Sequence, residues 1–348
     1  MSYEYERVAA MPKALRLHLN ENTAGCSPRV LEALQRLTRE HAAFYPEYDE
    51  ITAATARFFN VPVERVALTN GLDEGILAVA VAALRQTQPG TGDAIVVVPA
   101  FDMYAVCTDA AGGRVVEVPM GPEFAFPLDE VLDAVTARTR VIFLTNPNNP
   151  TGGLVPTAAL RAVAEHARGA MVFIDEAYAD FSGATVLEDP AFRALENVVI
   201  GRTFAKAYGL AGLRAGAVIG HPSTLEPIRR VIPPYSVNAY AGVALAAAMG
   251  DMEYVAWYRG EVEGSKSMIY AACERLGVKY WPSAGNFVLI RLGAQAPDVT
   301  AALARRGIAV RDRSSDPACP GCVRVAAGVV EHTRTFLAAL EEVLCGAP

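Results

Sequence analysis

Long apolar runs are missing from this chain of 348 residues. No stretch of about 18 uncharged apolar residues is present, so no membrane-spanning helix is expected. A basic surplus is missing too. Lysine and arginine number 31 against 38 aspartates and glutamates, a formal net charge of −7, whereas a general binder of nucleic-acid backbones displays a basic face. Neither nucleic acid nor membrane is therefore an expected partner, and a small molecule is. The opening residues, MSYEYERVAAMPKALRL, lack a basic segment followed by an apolar one, which sets the expectation of a cytoplasmic protein.

Metal-ligand and disulfide patterns are equally scarce. The five histidines show no ligand spacing, and the six cysteines are scattered at 26, 107, 273, 319, 322 and 345. Without an export signal, such cysteines do not read as a disulfide framework. Only Cys319-Pro320-Gly321-Cys322 is close-spaced. With no second pair to complete a site, a structural loop is expected there rather than a redox pair or half a zinc site, and no metal is expected. There is no internal repeat, low-complexity tract or charge run.

What the chain does have is the composition of a folded globular protein, 52% hydrophobic and 20% charged. Its length favours a large domain with a smaller companion and a cleft between them. Short β-branched apolar runs at 66–69, 94–98, 114–118, 141–145, 171–174, 198–201 and 215–219 suit strands buried on both faces. Amphipathic helical patterns, at 128–137 and 157–167 for example, lie between several of them, as α/β crossovers require. The expectation is an α/β fold, its large domain built on a mostly parallel, doubly wound sheet over 31–245. After 245 the pattern turns long and helical to 279. Strand-like runs at 286–291 and 323–326 and a helix over 333–344 then form a smaller α+β domain over 246–348. Residues 1–30 hold too little apolar surface to fold alone and are expected to pack as an arm on other parts of the fold.

Ligands of open α/β sheets sit beyond the carboxyl ends of the strands. Five polar clusters follow apolar runs there: 70–75, 99–104, 146–152, 175–178 and 202–206 with Arg214 after it. Gly71-Leu72-Asp73 reads as a tight turn opening a helix whose free N–H groups suit a phosphate, although Asp73 and Glu74 fit any helix start. Residues 146–152 fit a surface turn equally well, but two X-Pro bonds also allow a cis peptide that aims an Asn amide into the cleft. Asp175 ends an apolar run and suits either a helix cap or a buried acid. A single lysine such as Lys206 is usually solvated. The joint occurrence changes that reading. One cleft then holds an imine-forming lysine, an aspartate, an arginine, a helix N-terminus and the ring of Phe101, the parts that hold pyridoxal phosphate.

The ordered motifs NPNNPTG at 146–152, DEAY at 175–178 and RTFAKAYGLAGLRAG at 202–216 resemble the fold-type I aminotransferases, most closely the histidinol-phosphate aminotransferase branch. The resemblance spans nearly the whole chain. It includes LNEN at 19–22, YPEY at 45–48, GLDEG at 71–75, PPYSVN at 233–238, PSAGNFVLIR at 282–291, VRDRS at 310–314 and VRVAAG at 323–328. It implies the pyridoxal-phosphate-dependent transferase fold, with Lys206 carrying the cofactor as a Schiff base and moving the substrate proton. Asp175 is implied as partner of the pyridine nitrogen, Asn149 and Tyr178 of the phenolic oxygen, and Phe101 as the ring stacked on the cofactor, with Tyr104 nearby. Gly71, Leu72, Asp73, Thr203 and Arg214 are implied around the phosphate. Tyr45 is implied to reach the phosphate of the other subunit, so the resemblance implies a homodimer with shared sites, in which the arm over 1–30 packs on the small domain and on the dimer partner.

Arg324 is implied as the clamp for the substrate carboxylate, through two parallel hydrogen bonds. Asn20, Glu21, Asn149 and Tyr235 are candidates for the substrate wall. The activity implied is transfer of an amino group between histidinol phosphate, or a related amino acid, and 2-oxoglutarate. A threonine-phosphate decarboxylase or an aromatic aminotransferase is the alternative within the same chemistry, and a non-catalytic binding protein on the same fold is the alternative outside it. The chain departs from the branch at Ala205, where many relatives have Ser and one phosphate hydrogen bond more. It departs also in NENTAG at 20–25, which lacks a Pro and a following bulky residue, and at Ser236, where Asn is usual.

Overall fold

Alternate residues of each apolar run face opposite layers. Ile95, Val97, Ile142, Leu144, Val172 and Ile174 enter one core cluster, while Ala94, Val96, Val98, Val141, Phe143 and Phe173 enter another. A strand with apolar side chains on both faces is stable only when both are covered. The helix Leu72–Leu84 covers the second face with Leu72, Ile76, Val79 and Ala80. The helix Thr157–His166 covers the first with Leu160, Val163 and Ala164.

The computed structural model describes residues 14–85, 88 and 90–346. Its thirteen strands are β1 Leu15–Arg16, β2 Val66–Asn70, β3 Asp93–Val98, β4 Arg114–Pro119, β5 Thr139–Thr145, β6 Met171–Asp175, β7 Val198–Thr203, β8 Ala215–Gly220, β9 Lys279–Trp281, β10 Phe287–Arg291, β11 Ile308–Ala309, β12 Arg311–Asp312 and β13 Cys322–Ala326. Seven form one sheet in the order β2-β8-β7-β6-β5-β3-β4. Pairing is parallel from β7 through β6, β5 and β3 to β4, and β8 runs antiparallel to both β7 and β2. This is the mostly parallel, doubly wound sheet expected. Because β8 runs the other way, it starts at the edge where β2, β5, β6 and β7 end, and Arg214, one residue before it, arrives at that edge.

The smaller unit is an antiparallel sheet, β12-β13-β10-β9, packed on the helices Met252–Leu276 and Ala296–Arg305, against which the helix Val330–Leu344 lies in turn. The expected helical stretch over 245–279 is two helices, Ala239–Met249 and Met252–Leu276. Gly250 ends the first, and the Asp251 carboxylate caps the second by accepting from Tyr254 N. The expected helix over 128–137 stops at Ala134, where Val135 turns extended. Among the described residues no helix is long and apolar enough to cross a membrane.

The first thirteen residues of the expected arm lie outside the described residues. From residue 14 to residue 25 the chain runs as a strap between the two sheets. β1 pairs in parallel with β11, Leu15 opposite Ile308, and Leu17 O accepts from Ala326 N of β13 at 2.8 Å. The strap then passes so close to the loop after Lys206 that a Cβ on Gly209, at φ +72°, would lie 2.1 Å from Gly25 O. Only glycine tolerates both the backbone angle and the approach.

Candidate active site

A cavity of about 330 Å³ opens where β5, β6 and β7 end, roofed by the strap and by β12 and β13. Its volume suits a small ligand. Phosphate-type chemistry sits at one end. β2 stops at Asn70, Gly71 turns the chain at φ +74°, and the helix Leu72–Leu84 begins. First-turn N–H groups have no intrahelical acceptor and carry the positive end of the helix dipole. Arg214, itself at φ +58°, lies against this turn, so a Cβ on Gly71 would meet Arg214 Nη2 at 2.5 Å. Arg214 Nη2 donates to Asp73 Oδ2 at 2.7 Å. Thr203 Oγ1 accepts from Ala205 N at 3.2 Å, which leaves the hydroxyl proton for an anion.

The floor is built on a buried acid. Asp175 is the last residue of β6 and 3% exposed. Its Oδ2 accepts from Tyr104 Oη at 2.7 Å and its Oδ1 from Ala177 N at 2.9 Å. Burial pushes this carboxyl up to about 6, against the pull of the two hydrogen bonds. Tyr104 is fully buried, stacked on Phe143 at 5.0 Å and bonded to Thr145 Oγ1 at 2.8 Å. Burial and the facing carboxylate hold its phenol well above the usual range, so it remains a donor. Phe101 meets Tyr104 edge-on and lines the cavity.

Lys206 Nζ points across this floor and donates to Leu19 O at 2.9 Å. Its neighbour Arg202 does not share the cavity. Arg202 pairs with Glu176 at 3.0 Å and Asp180 at 2.7 Å in a buried cluster that locks the ends of β6 and β7 together.

The strap supplies the opposite wall with three consecutive carbonyls. His18 O accepts from Arg324 Nη2 at 2.7 Å, Leu19 O from Lys206, and Asn20 O from Asn286 Nδ2 at 3.1 Å. Asn20 Nδ2 donates to Tyr178 Oη at 3.0 Å, leaving the phenol proton free to point into the cavity. Arg324, in the middle of β13, also donates to Asn149 Oδ1, which turns the Asn149 amide nitrogen towards the floor. Among the described residues no carboxylate pairs with Arg324. Burial lowers it to about 10, and its Nε has no partner. A buried guanidinium with only neutral partners is set to receive an anion.

Leu72, Asp73, Phe101, Asn149, Asp175, Tyr178, Thr203, Lys206, Arg214, Glu21 and Arg324 therefore line one cavity, with Gly71 and Asn20 in direct contact with residues of that lining. Glu21 is engaged by Arg16 at 2.6 Å. Tyr45 and Tyr235 are not in the lining. They stack on each other at 4.2 Å and are both exposed. Ser236 donates to Glu74 Oε2 at 2.6 Å, so its departure from the common pattern falls at the base of the phosphate-type turn rather than in the cavity wall. His18, Thr145, Arg311 and Arg313 also line the cavity, although no motif assigned them a role. Thr145 ends a recognised strand run, and Arg311 and Arg313 lie within the VRDRS motif; nothing marked His18. The pair Cys319 and Cys322 is buried at the end of a turn, both as free thiols, and no group of metal-binding side chains exists among the described residues.

The donor set fits pyridoxal phosphate, the cofactor implied by the motifs. Asp175 is a buried carboxylate, held by neutral donors and set opposite an amine. A helix N-terminus beside Arg214 suits a phosphate, and the free donors of Tyr178 and Asn149 face the space between.

Residues 12–340 match the family model described as aminotransferase class I and II. A histidinol-phosphate aminotransferase of Symbiobacterium thermophilum is 35% identical, covering 98% of this chain and 93% of that protein. One of Archaeoglobus fulgidus is 32% identical over 95% of this chain and 99% of its own length. Two solved structures share the fold. The histidinol-phosphate aminotransferase of Sinorhizobium meliloti, in complex with pyridoxal-5'-phosphate, has a TM-score of 0.85 at 24% identity, covering 96% of this chain and 92% of that one. The aspartate aminotransferase of Thermus thermophilus with maleate has 0.79 at 24% identity, covering 95% and 92%.

Proposed function

The chain belongs to the class I and II aminotransferases and is a pyridoxal-phosphate-dependent enzyme acting on small molecules, and from this premise we propose that it transfers the amino group of histidinol phosphate, or of a closely related anionic amino compound, to 2-oxoglutarate. The observation that carries the choice of donor is Arg324, a buried cation held only by neutral oxygens and turned towards the cavity. The names of the relatives support the same donor.

When bound, pyridoxal phosphate supplies an aldehyde carbon for the amine and a ring that accepts the electron pair released at the substrate α-carbon. Lys206 Nζ would hold the group and, once freed by the donor amine, would carry the proton between the substrate α-carbon and the C4′ carbon of the cofactor. Leu19 O, accepting from Nζ at 2.9 Å, steers the amine during that transfer. Asp175 would keep a proton on the ring nitrogen, and Tyr104 keeps Asp175 oriented. Asn149 and Tyr178 would donate to the phenolic oxygen, Phe101 would cover the ring face, and Thr203, Arg214 and the N–H groups of Leu72 and Asp73 would bind the phosphate. Arg324 clamps the anionic group of donor and acceptor in turn, with Asn20 and Glu21 beside it.

The exposed, stacked pair Tyr45 and Tyr235 is assigned to a homodimer interface, where Tyr45 reaches the phosphate in the partner's cavity and Tyr235 its substrate. The division into an arm over 1–30, a large domain over 31–245 and a small domain over 246–348, and a cytoplasmic location, belong to the same proposal. The test is the visible absorbance of the loaded protein, titrated with glutamate and then with histidinol phosphate beside a Lys206→Ala control. Loss of the band with both donors and formation of the matching 2-oxo products support the assignment. Loss with glutamate but not with histidinol phosphate removes that donor, and release of carbon dioxide moves the enzyme to decarboxylation.

A further inference from the structure

His18 stands beside the anion clamp with an unsatisfied ring. It is 4% exposed, lines the cavity, and its Nδ1 is enclosed without a partner. Buried ring nitrogens are almost always hydrogen-bonded, and leaving one unpaired is costly. The backbone carbonyl of the same residue accepts from Arg324 Nη2 at 2.7 Å, so imidazole and guanidinium are attached to the same spot of the wall. Tyr104, Asp175 and Lys206 around the same cavity all have partners.

We propose that His18 and Arg324 act as one anion-reading pair, in which His18 takes up a proton from solvent together with the anionic group of the substrate and donates to it. This rests on the reading of Arg324 as the anion clamp and narrows the donor to phosphate monoesters. A second negative charge is what a second cation beside Arg324 selects over a carboxylate.

The charged groups facing the imidazole come from each element around it: Glu21 from the strap, Arg16 from β1, Arg311 from β12 and Arg324 from β13. Burial, and then the three arginines against Glu21, lower the proton affinity of His18, so without a bound anion the ring is neutral at neutral pH. An anion on Arg324 reverses the local sign and raises it again. Binding therefore strengthens as pH falls and weakens once pH exceeds the titration range of the occupied site.

The experiment is calorimetric titration of the cofactor-loaded protein with inorganic sulfate from about pH 5 to about pH 9, a range in which sulfate keeps its charge and histidine does not. Wild type is expected to bind at least about fivefold tighter at the acidic end, with proton uptake visible as a buffer-dependent heat. His18→Asn is expected to flatten the profile and remove the proton uptake. Proton uptake by the wild type alone is informative should the variant fail to fold, since its absence overturns the proposal. Matching profiles in wild type and His18→Asn overturn it while leaving Arg324 as the clamp, provided Arg324→Met abolishes binding. Sulfate binding indifferent to Arg324→Met overturns both, and amino-transfer rates then report separately on the reaction class.

Discussion

The floor and the wall of the cavity are built differently. The floor consists of strand ends, where Asp175, Thr145 and Thr203 belong to three adjacent strands of one sheet and Tyr104 locks the acid from a neighbouring helix. The wall consists of partners far apart in the chain. Arg324 reaches back 306 residues to His18 and 175 to Asn149. A floor on rigid parallel strands preserves geometry that chemistry needs. A wall made by a strap and a separate sheet is free to vary, which is where one fold acquires different substrates.

Substitutions separate the two. Lys206→Ala is expected to give the largest effect, a loss of about ten-thousandfold in kcat with substrate affinity little changed, measured by single-turnover amino transfer. A residual rate within tenfold of wild type would remove Lys206 as the proton carrier. Asp175→Asn comes next, with a loss of about a hundredfold or more in kcat, because a neutral amide no longer holds the proton on the ring nitrogen. The same acid predicts a pH effect. Its carboxyl, at about 6, would have to be ionised to pair with a protonated ring nitrogen, so cofactor binding would release a proton below that pH. Cofactor affinity is expected to be flat above about 6 and to fall by up to about tenfold per unit below it. Equilibrium titration of wild type and Asp175→Asn checks this, and the slope should vanish in the variant.

At the wall, Arg324→Met is expected to raise KM for donor and acceptor by about a hundredfold, near 3 kcal/mol, with a smaller change in kcat. An equal fall in kcat would mean that Arg324 acts on the floor through Asn149. The smallest effect is expected at Ala205→Ser, which adds a hydroxyl near Thr203 and tightens cofactor binding by up to about 1 kcal/mol, read as roughly fivefold in its dissociation constant.

The floor was legible in the sequence because its residues lie within a few positions of strong strand signals. A β-branched run predicts a strand, its polar end predicts the edge of the sheet, and the turn chemistry of Gly71 predicts the helix start. The wall was legible only in part. Arg324 and Asn20 were marked by motifs, but their mutual arrangement was not, and Tyr235 was expected in a wall it does not line within one protomer. His18 carried no signal, since it sits between two leucines and reads as any residue of a short strand.

The sequence by itself determined the α/β class, the strands and their buried faces, and the kind of chemistry the strand ends serve, because these follow from local periodicity and from residue types clustered within a few positions. Tertiary structure alone decided that the carbonyls of His18, Leu19 and Asn20 hold Arg324, Lys206 and Asn286, and that Arg202 is spent on a buried ion cluster while Arg324 stays open to a ligand. Such pairings depend on how a strap threads between two sheets, and no local pattern encodes a contact across three hundred residues.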